Sequence, residues 1–91
     1  MKTNAAVAES WSKGEKADSK HLHTDGNEIF SYGLKIGFTA NNKKIVINYM
    51  GKNAYSQTTS HHVSMAKMYA DEVIDPNVYK DKYLLQNEVK Q

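Results

Sequence analysis

Residues 27–62 read NEIFSYGLKIGFTANNKKIVINYMGKNAYSQTTSHH, and this stretch decides the fold. Within Glu28 to Ala40, Phe30, Tyr32, Leu34, Ile36 and Phe38 fall at every second position, with Ser31, Gly33, Lys35, Gly37 and Thr39 between them. Successive side chains of a strand point to opposite faces, so the alternation predicts one long, half-buried strand. Asn41-Asn42 follows, and Asn tolerates the positive φ that a tight turn needs. Lys44 to Met50 reads as the returning strand, with Ile45, Ile47 and Tyr49 facing inward.

Working backward, Asp25-Gly26-Asn27 is a hairpin signal, and Ser19 to Thr24 alternates as a short strand before it. Working forward, Thr58, Thr59 and Ser60 are all competent helix N-caps. Val63, Ala66, Ala70 and Val73, with Tyr69 alongside, then form an apolar stripe at helical spacing. Asp75-Pro76 is expected to break that helix. Asn77 is expected to cap a second one running from Val78 toward Glu88, anchored by Leu84 and Leu85. Ala5 to Ser12 reads as a short helix capped by Asn4, with Val7 and Trp11 on one face and Gly14 as its stop. The charged run Lys13 to Lys20 leaves an unstructured arm as the alternative. The expected fold class is therefore α+β: a three-stranded antiparallel meander packed against one main helix, with short N- and C-terminal helices. The expected organisation is an N-terminal helix or arm over 1–20, a core domain over 21–74 and a C-terminal helix or tail over 75–91.

With 91 residues the chain holds one domain, which buries only about 60% of the surface its unfolded form exposes. It has no cysteine, so neither disulfides nor Cys-ligated zinc can staple it. The start, MKTNAAVAESWSKG, lacks the apolar core of a signal peptide, and no run approaches the roughly 18 apolar residues of a membrane span. A cytoplasmic protein with no membrane partner is expected. All twelve basic residues are Lys, balanced by ten acids for a net charge of +2. Arg is the residue that reads guanine and grips phosphate bidentately, so its absence counts against sequence-specific DNA recognition.

Four features bear on chemistry. His21 and His23 share one face of a strand, and His61-His62 point about 100° apart on a helix, so a metal would draw one ligand from each pair. No acidic residue is spaced to join them, and solvated or capping histidines are the expectation. Ser56, Thr58, Thr59, Ser60 and Ser64 lie beside those histidines without a Gly-x-Ser-x-Gly elbow, so hydroxyls that cap a helix are expected rather than a catalytic nucleophile. The helix start at Ser56 to His62 offers free N–H groups that suit a phosphate or an acidic side chain, with Lys35, Lys43 and Lys44 adding charge if they lie on the same side. Gly33 and Gly37 alternate away from the apolar residues and leave a flat sheet face. That face either receives a partner protein or nucleobase, or is covered within the chain by the first helix with Trp11, or its glycines mark a bend in the strand.

The runs AVAESWSKGE, SKHLHTDGNEIFSYGLKIGF and YSQTTSHHVSMAK resemble a family of short, uncharacterised proteins encoded by phages, prophages and their hosts. The resemblance covers roughly residues 5 to 68. It rests on Trp11 and Gly14, Asp25 and Gly26, Ser31 to Gly33, Ile36 and Gly37, and above all Tyr55 to His62. It implies a phage accessory context and no defined mechanism. The expected function is a non-enzymatic accessory or regulatory protein that binds a host or phage protein, an inhibitor of a host defence system among the options. The expected site is Ser56, Thr58, Thr59, Ser60 and His62 with Tyr32 and Tyr55. The alternative is a nucleic-acid-binding module that uses Lys35, Lys43 and Lys44 with the same helix start. The outer sheet edges leave a homodimer open.

Overall fold

A computed structural model describes residues 3–51 and 56–84 of the chain. In order these form α1 (Asn4–Ser12), β1 (Lys16–Asp18), β2 (Leu22–Asp25), β3 (Ile29–Ser31), β4 (Leu34–Ala40), β5 (Lys43–Ile47), α2 (Gln57–Lys67), β6 (Glu72–Ile74) and α3 (Pro76–Tyr79), which runs on into a π-helical turn, Lys80–Leu84. The strands make one six-stranded sheet in sequential order. β1 to β5 are antiparallel and β6 lies parallel to β5. The expected three-stranded meander under a single main helix is therefore incorrect: the sheet is mixed, has twice the strands, and is accompanied by three helices.

The long strand expected over 28–40 is two strands. Tyr32 and Gly33 form the two-residue turn between β3 and β4, with φ of 53° and 84°. Ser31 pairs with Leu34, Phe30 with Lys35, and Ile29 with Gly37, so Ile36 is an extra residue in β4. The turn and the bulge each shift the side-chain phase by one residue. The two shifts cancel, which is why the alternation in the sequence looks unbroken. Phe30 and Phe38 do share a face. Tyr32 belongs to neither strand and is exposed, and Leu34 lies beside Ser31 on the opposite face.

The charged run before Ser19 supplies β1, where Ala17 is buried between exposed Lys16 and Asp18. The main helix stops at Lys67, short of the expected stripe. Asp71 then clamps β5: its N–H donates to Lys44 O at 2.7 Å, and its Oδ2 accepts the Lys44 N–H at 2.8 Å. That places Glu72-Val73-Ile74 on the sheet edge as β6, so Val73 is a strand residue. Pro76 opens α3 at its first turn, where a missing N–H costs nothing, and Asp75 rather than Asn77 is the cap residue. The side chains of Leu84 and Leu85 lie outside the described residues.

One sheet face carries Ala17, Leu22, Thr24, Ile29, Ser31, Gly37 and Val46 and packs against α1 and α2. Val7, Ala8 and Trp11 of α1 and Val63 and Ala66 of α2 are buried there. Trp11 anchors the layer, with its indole N–H donating to Asn27 O at 3.0 Å. The other face carries Phe38 and Ile45, covered by Tyr79 and Tyr83 with ring centroids 5.6 and 4.8 Å from Phe38. Gly33 and Gly37 do not share an open face. Gly33 sits in the turn, and Gly37 lies beneath Trp11, so α1 occupies the flat part of the sheet.

Candidate functional site

At one corner the end of β3, the β3–β4 turn, the start of α2 and the first residue of α1 converge. α2 begins after Ser56, whose Oγ accepts the Thr59 N–H at 3.1 Å. This cap sets the helix phase, so Thr59 and His62, three residues apart, both face the sheet and are buried. His62 is 1% exposed. Its Nδ1 lies 2.6 Å from Ser31 Oγ, and its Nε2 lies 3.2 Å from Asn4 Nδ2.

The proton positions follow from the neighbours. Ser19 Oγ donates to Asn4 Oδ1 at 2.5 Å, which turns the Asn4 amide nitrogen toward His62. That nitrogen can only donate, so Nε2 accepts, and the neutral ring carries its proton on Nδ1. Nδ1–H therefore donates to Ser31 Oγ. Ser31 in turn donates to Thr59 Oγ1 at 3.4 Å, which also accepts from Ser56 Oγ at 3.1 Å. The result is one directed chain linking α1, the segment after β1, β3 and α2. Burial is the main cause that holds the His62 pKa below the usual imidazole value, with the charges of His21 and His61 adding to it.

Tyr32 covers the outer side of this network. Its ring stacks on His21 with centroids 4.4 Å apart and lies 6.0 Å from His62 at 26°. It is 54% exposed, while its backbone holds φ at 53°. Non-glycine residues other than Asn and Asp seldom adopt that region.

Of the residues singled out in the sequence, the structure brings together Ser56, Thr59, His62 and Tyr32. Thr58 is exposed on the first turn of α2. Ser60 donates back to Ser56 O at 3.0 Å and lines an open depression of about 250 Å³ with Met50, Gln57, His61 and Ser64. Tyr55 lies outside the described residues. The three lysines do not form a patch with this corner. Lys44 lies over Trp11 at 5.3 Å and donates to Thr39 Oγ1 at 2.6 Å and Gly26 O at 3.2 Å. Lys35 is on the opposite face, 2.6 Å from Glu28 Oε2 and over Tyr79. Lys43 is exposed at the start of β5. His23 Nδ1 lies 3.0 Å from Asp18 Oδ1, and among the described residues no group of three potential metal ligands occurs. No helix of the described residues is long and apolar enough to cross a membrane.

Ser31, Asn4, Ser19 and His21 are the members that sequence reasoning placed elsewhere. The available signal was Ser31 itself, a hydroxyl inside the apolar segment Ile29-Phe30-Ser31. Chemically, the Ser31–His62 contact is closed to a substrate, because Ser31 is 0% exposed. The chain matches no family model, no curated protein and no solved structure.

Proposed function

We propose that this chain is a non-enzymatic accessory or regulatory protein that binds a protein partner at the corner where Tyr32 covers the start of α2. The observation that carries this reading is Tyr32, a large exposed ring kept on a strained backbone. Strain at an exposed position is retained where the side chain is used. Tyr suits protein interfaces because it adds contact area while fixing few torsions. Exposed Thr58 on the first turn of α2 supplies a polar group at the same helix start. Lys35 and Lys44 are engaged within the fold on opposite faces, which favours a protein over nucleic acid as partner. The phage resemblance makes a host factor, including a component of a defence system, the proposed partner class.

The test uses Tyr32→Asn. Asn accepts a left-handed backbone, so this variant keeps the turn and removes the ring. Wild type and Tyr32→Asn are compared for retention of host proteins, with unfolding monitored in parallel. A partner retained by wild type and lost by a fully folded Tyr32→Asn supports the reading. Identical retention by both refutes it. Capture of mixed-sequence nucleic acid instead, weakening steeply with salt, would replace it with the phosphate-contact reading.

A further inference from the structure

The directed chain through His62 has room for only one charge state. Nε2 accepts from Asn4, whose amide is held by Ser19, and Ser19 Oγ also accepts the Leu22 N–H at 3.2 Å. We infer that this corner is an acid-sensitive latch, in which a proton added at His62 Nε2 meets the Asn4 N–H donor and frees the N-terminal end of α1 from α2.

Turning the Asn4 amide over restores an acceptor at Nε2. Ser19 would then donate to Leu22 O at 3.2 Å. This rearrangement does not remove the difficulty, because it leaves a cation on a ring that is 1% exposed. Among the described residues, the groups that face the ring from each packed element offer it no counter-charge. α1 presents the amide of Asn4, β3 presents the hydroxyl of Ser31, and the β3–β4 turn presents the phenol of Tyr32. The segment after β1 presents His21, and α2 itself presents His61, and both add to burial in disfavouring a cation at His62. A buried charge without a partner is relieved by reaching water. On its Nε2 side the ring meets Asn4, the first residue of α1, whose first turn rests on the Thr3 cap and the Val7 N–H to Thr3 O bond. The sign follows: the neutral latch is intact above the unfolded imidazole value, and it weakens as pH falls below it. The latch is a property of the chain alone and does not depend on the proposed partner.

Amide hydrogen exchange tests this, with rates corrected for the intrinsic pH dependence. The amides of the first turns of α1 and α2 are compared with those of β4 and β5. In the wild type, protection at the two helix starts should fall by about tenfold or more relative to the sheet between about pH 7.5 and about pH 5. Asn4→Asp places a carboxylate against Nε2 and is favourable in the first turn of a helix. It should raise the pH at which His62 titrates and remove or reverse the loss. Nitrogen chemical shifts of His62 should report the Nδ1–H tautomer in the neutral wild type. An Nε2–H tautomer, a protection ratio that does not change with pH, or an Asn4→Asp variant that responds as the wild type does would each overturn the latch.

Discussion

Gly37→Ala probes how α1 is held on the sheet. The Gly37 backbone is not in the left-handed region, so alanine meets no torsional obstacle there. The obstacle is space. A methyl group would sit 2.8 Å from Ile29 Cγ2, 3.0 Å from Trp11 Cζ2 and 3.2 Å from Ile45 O. Ile29 and Trp11 are both 0% exposed, so neither can swing into solvent to make room. Overpacking of this kind costs about 1–3 kcal/mol. The smaller entropy of an unfolded alanine offsets about 0.4–1 kcal/mol of that. The net expectation is a loss of about 1–2 kcal/mol, which at about 4–8 °C per kcal/mol is a clear drop in Tm. Urea unfolding followed through Trp11, the only tryptophan, measures it. A double-mutant cycle then isolates the cause. In an Ile29→Ala background the shortest contact disappears, so Gly37→Ala should cost under about 1 kcal/mol and the two changes should be less than additive. A neutral or stabilising Gly37→Ala would refute the close approach of Ile29 and Trp11 to this position, and strict additivity would refute the Ile29 contact.

Ser31→Ala removes the acceptor of the His62 Nδ1–H and leaves a buried donor, so it should cost about 1–3 kcal/mol in denaturant unfolding. Combined with Asn4→Ala it should cost less than the sum, because both changes break one chain. Asp25 Oδ1 accepts the N–H groups of Glu28 and Asn27 at 2.8 and 2.9 Å, which hold its carboxyl below the usual carboxylate value. Its contribution is present above the unfolded value and is lost as pH falls through the depressed one. Because the group is exposed, an acid titration of Asp25→Ala against wild type should differ by less than about 1 kcal/mol. Desolvation works to lower the Lys35 pKa, but its hydrogen bonds to Glu28 and Tyr79 prevail and raise it. Its stabilisation is therefore present below the unfolded lysine value and lost as pH rises through the higher folded one. Lys35→Met should flatten the alkaline end of the stability profile, read by the same unfolding assay.

The hairpin at Asp25-Gly26 and the turn at Asn41-Asn42 were legible, because those residues carry their own reason to turn. The α1 helix followed from the spacing of Val7 and Trp11, and its docking through Trp11 was one of the occupants that the flat sheet face left open. The β3–β4 turn was not legible, since Tyr-Gly is a poor signal and the bulge at Ile36 restored the alternation that the turn had broken. β6 was hidden because Ala70 and Val73 extend the helical spacing of α2. What overrides that spacing is the pair of Asp71 contacts to Lys44, 27 residues away in the chain. The members Ser56, Thr59 and His62 were found because a helix start displays its caps. Asn4 and Ser31 were not identified, because they reach His62 across 58 and 31 residues, and no local pattern records such a meeting.

The corner departs twice from what the fold alone requires, and the two departures meet. The turn between β4 and β5 uses Asn at both left-handed positions, the inexpensive solution. The β3–β4 turn uses Tyr at the first of its two, although Asn or Gly would form it with less strain. Beneath that Tyr the core is a polar chain, although apolar residues of similar volume would pack α1 and α2 at least as tightly. Leu22 and Ile29, on the same sheet face, show that this layer also takes an apolar filling. A turn residue that costs stability and a polar bed that adds little would be unrelated accidents if they lay apart. They are in contact, since the Tyr32 ring stacks near His62 and Ser31 directly precedes Tyr32. The network fixes the helices against the turn and so fixes the bed on which the exposed ring rests. A substitution that breaks the network should therefore disturb binding through Tyr32 even where the fold survives, whereas Gly37→Ala should lower stability without that effect.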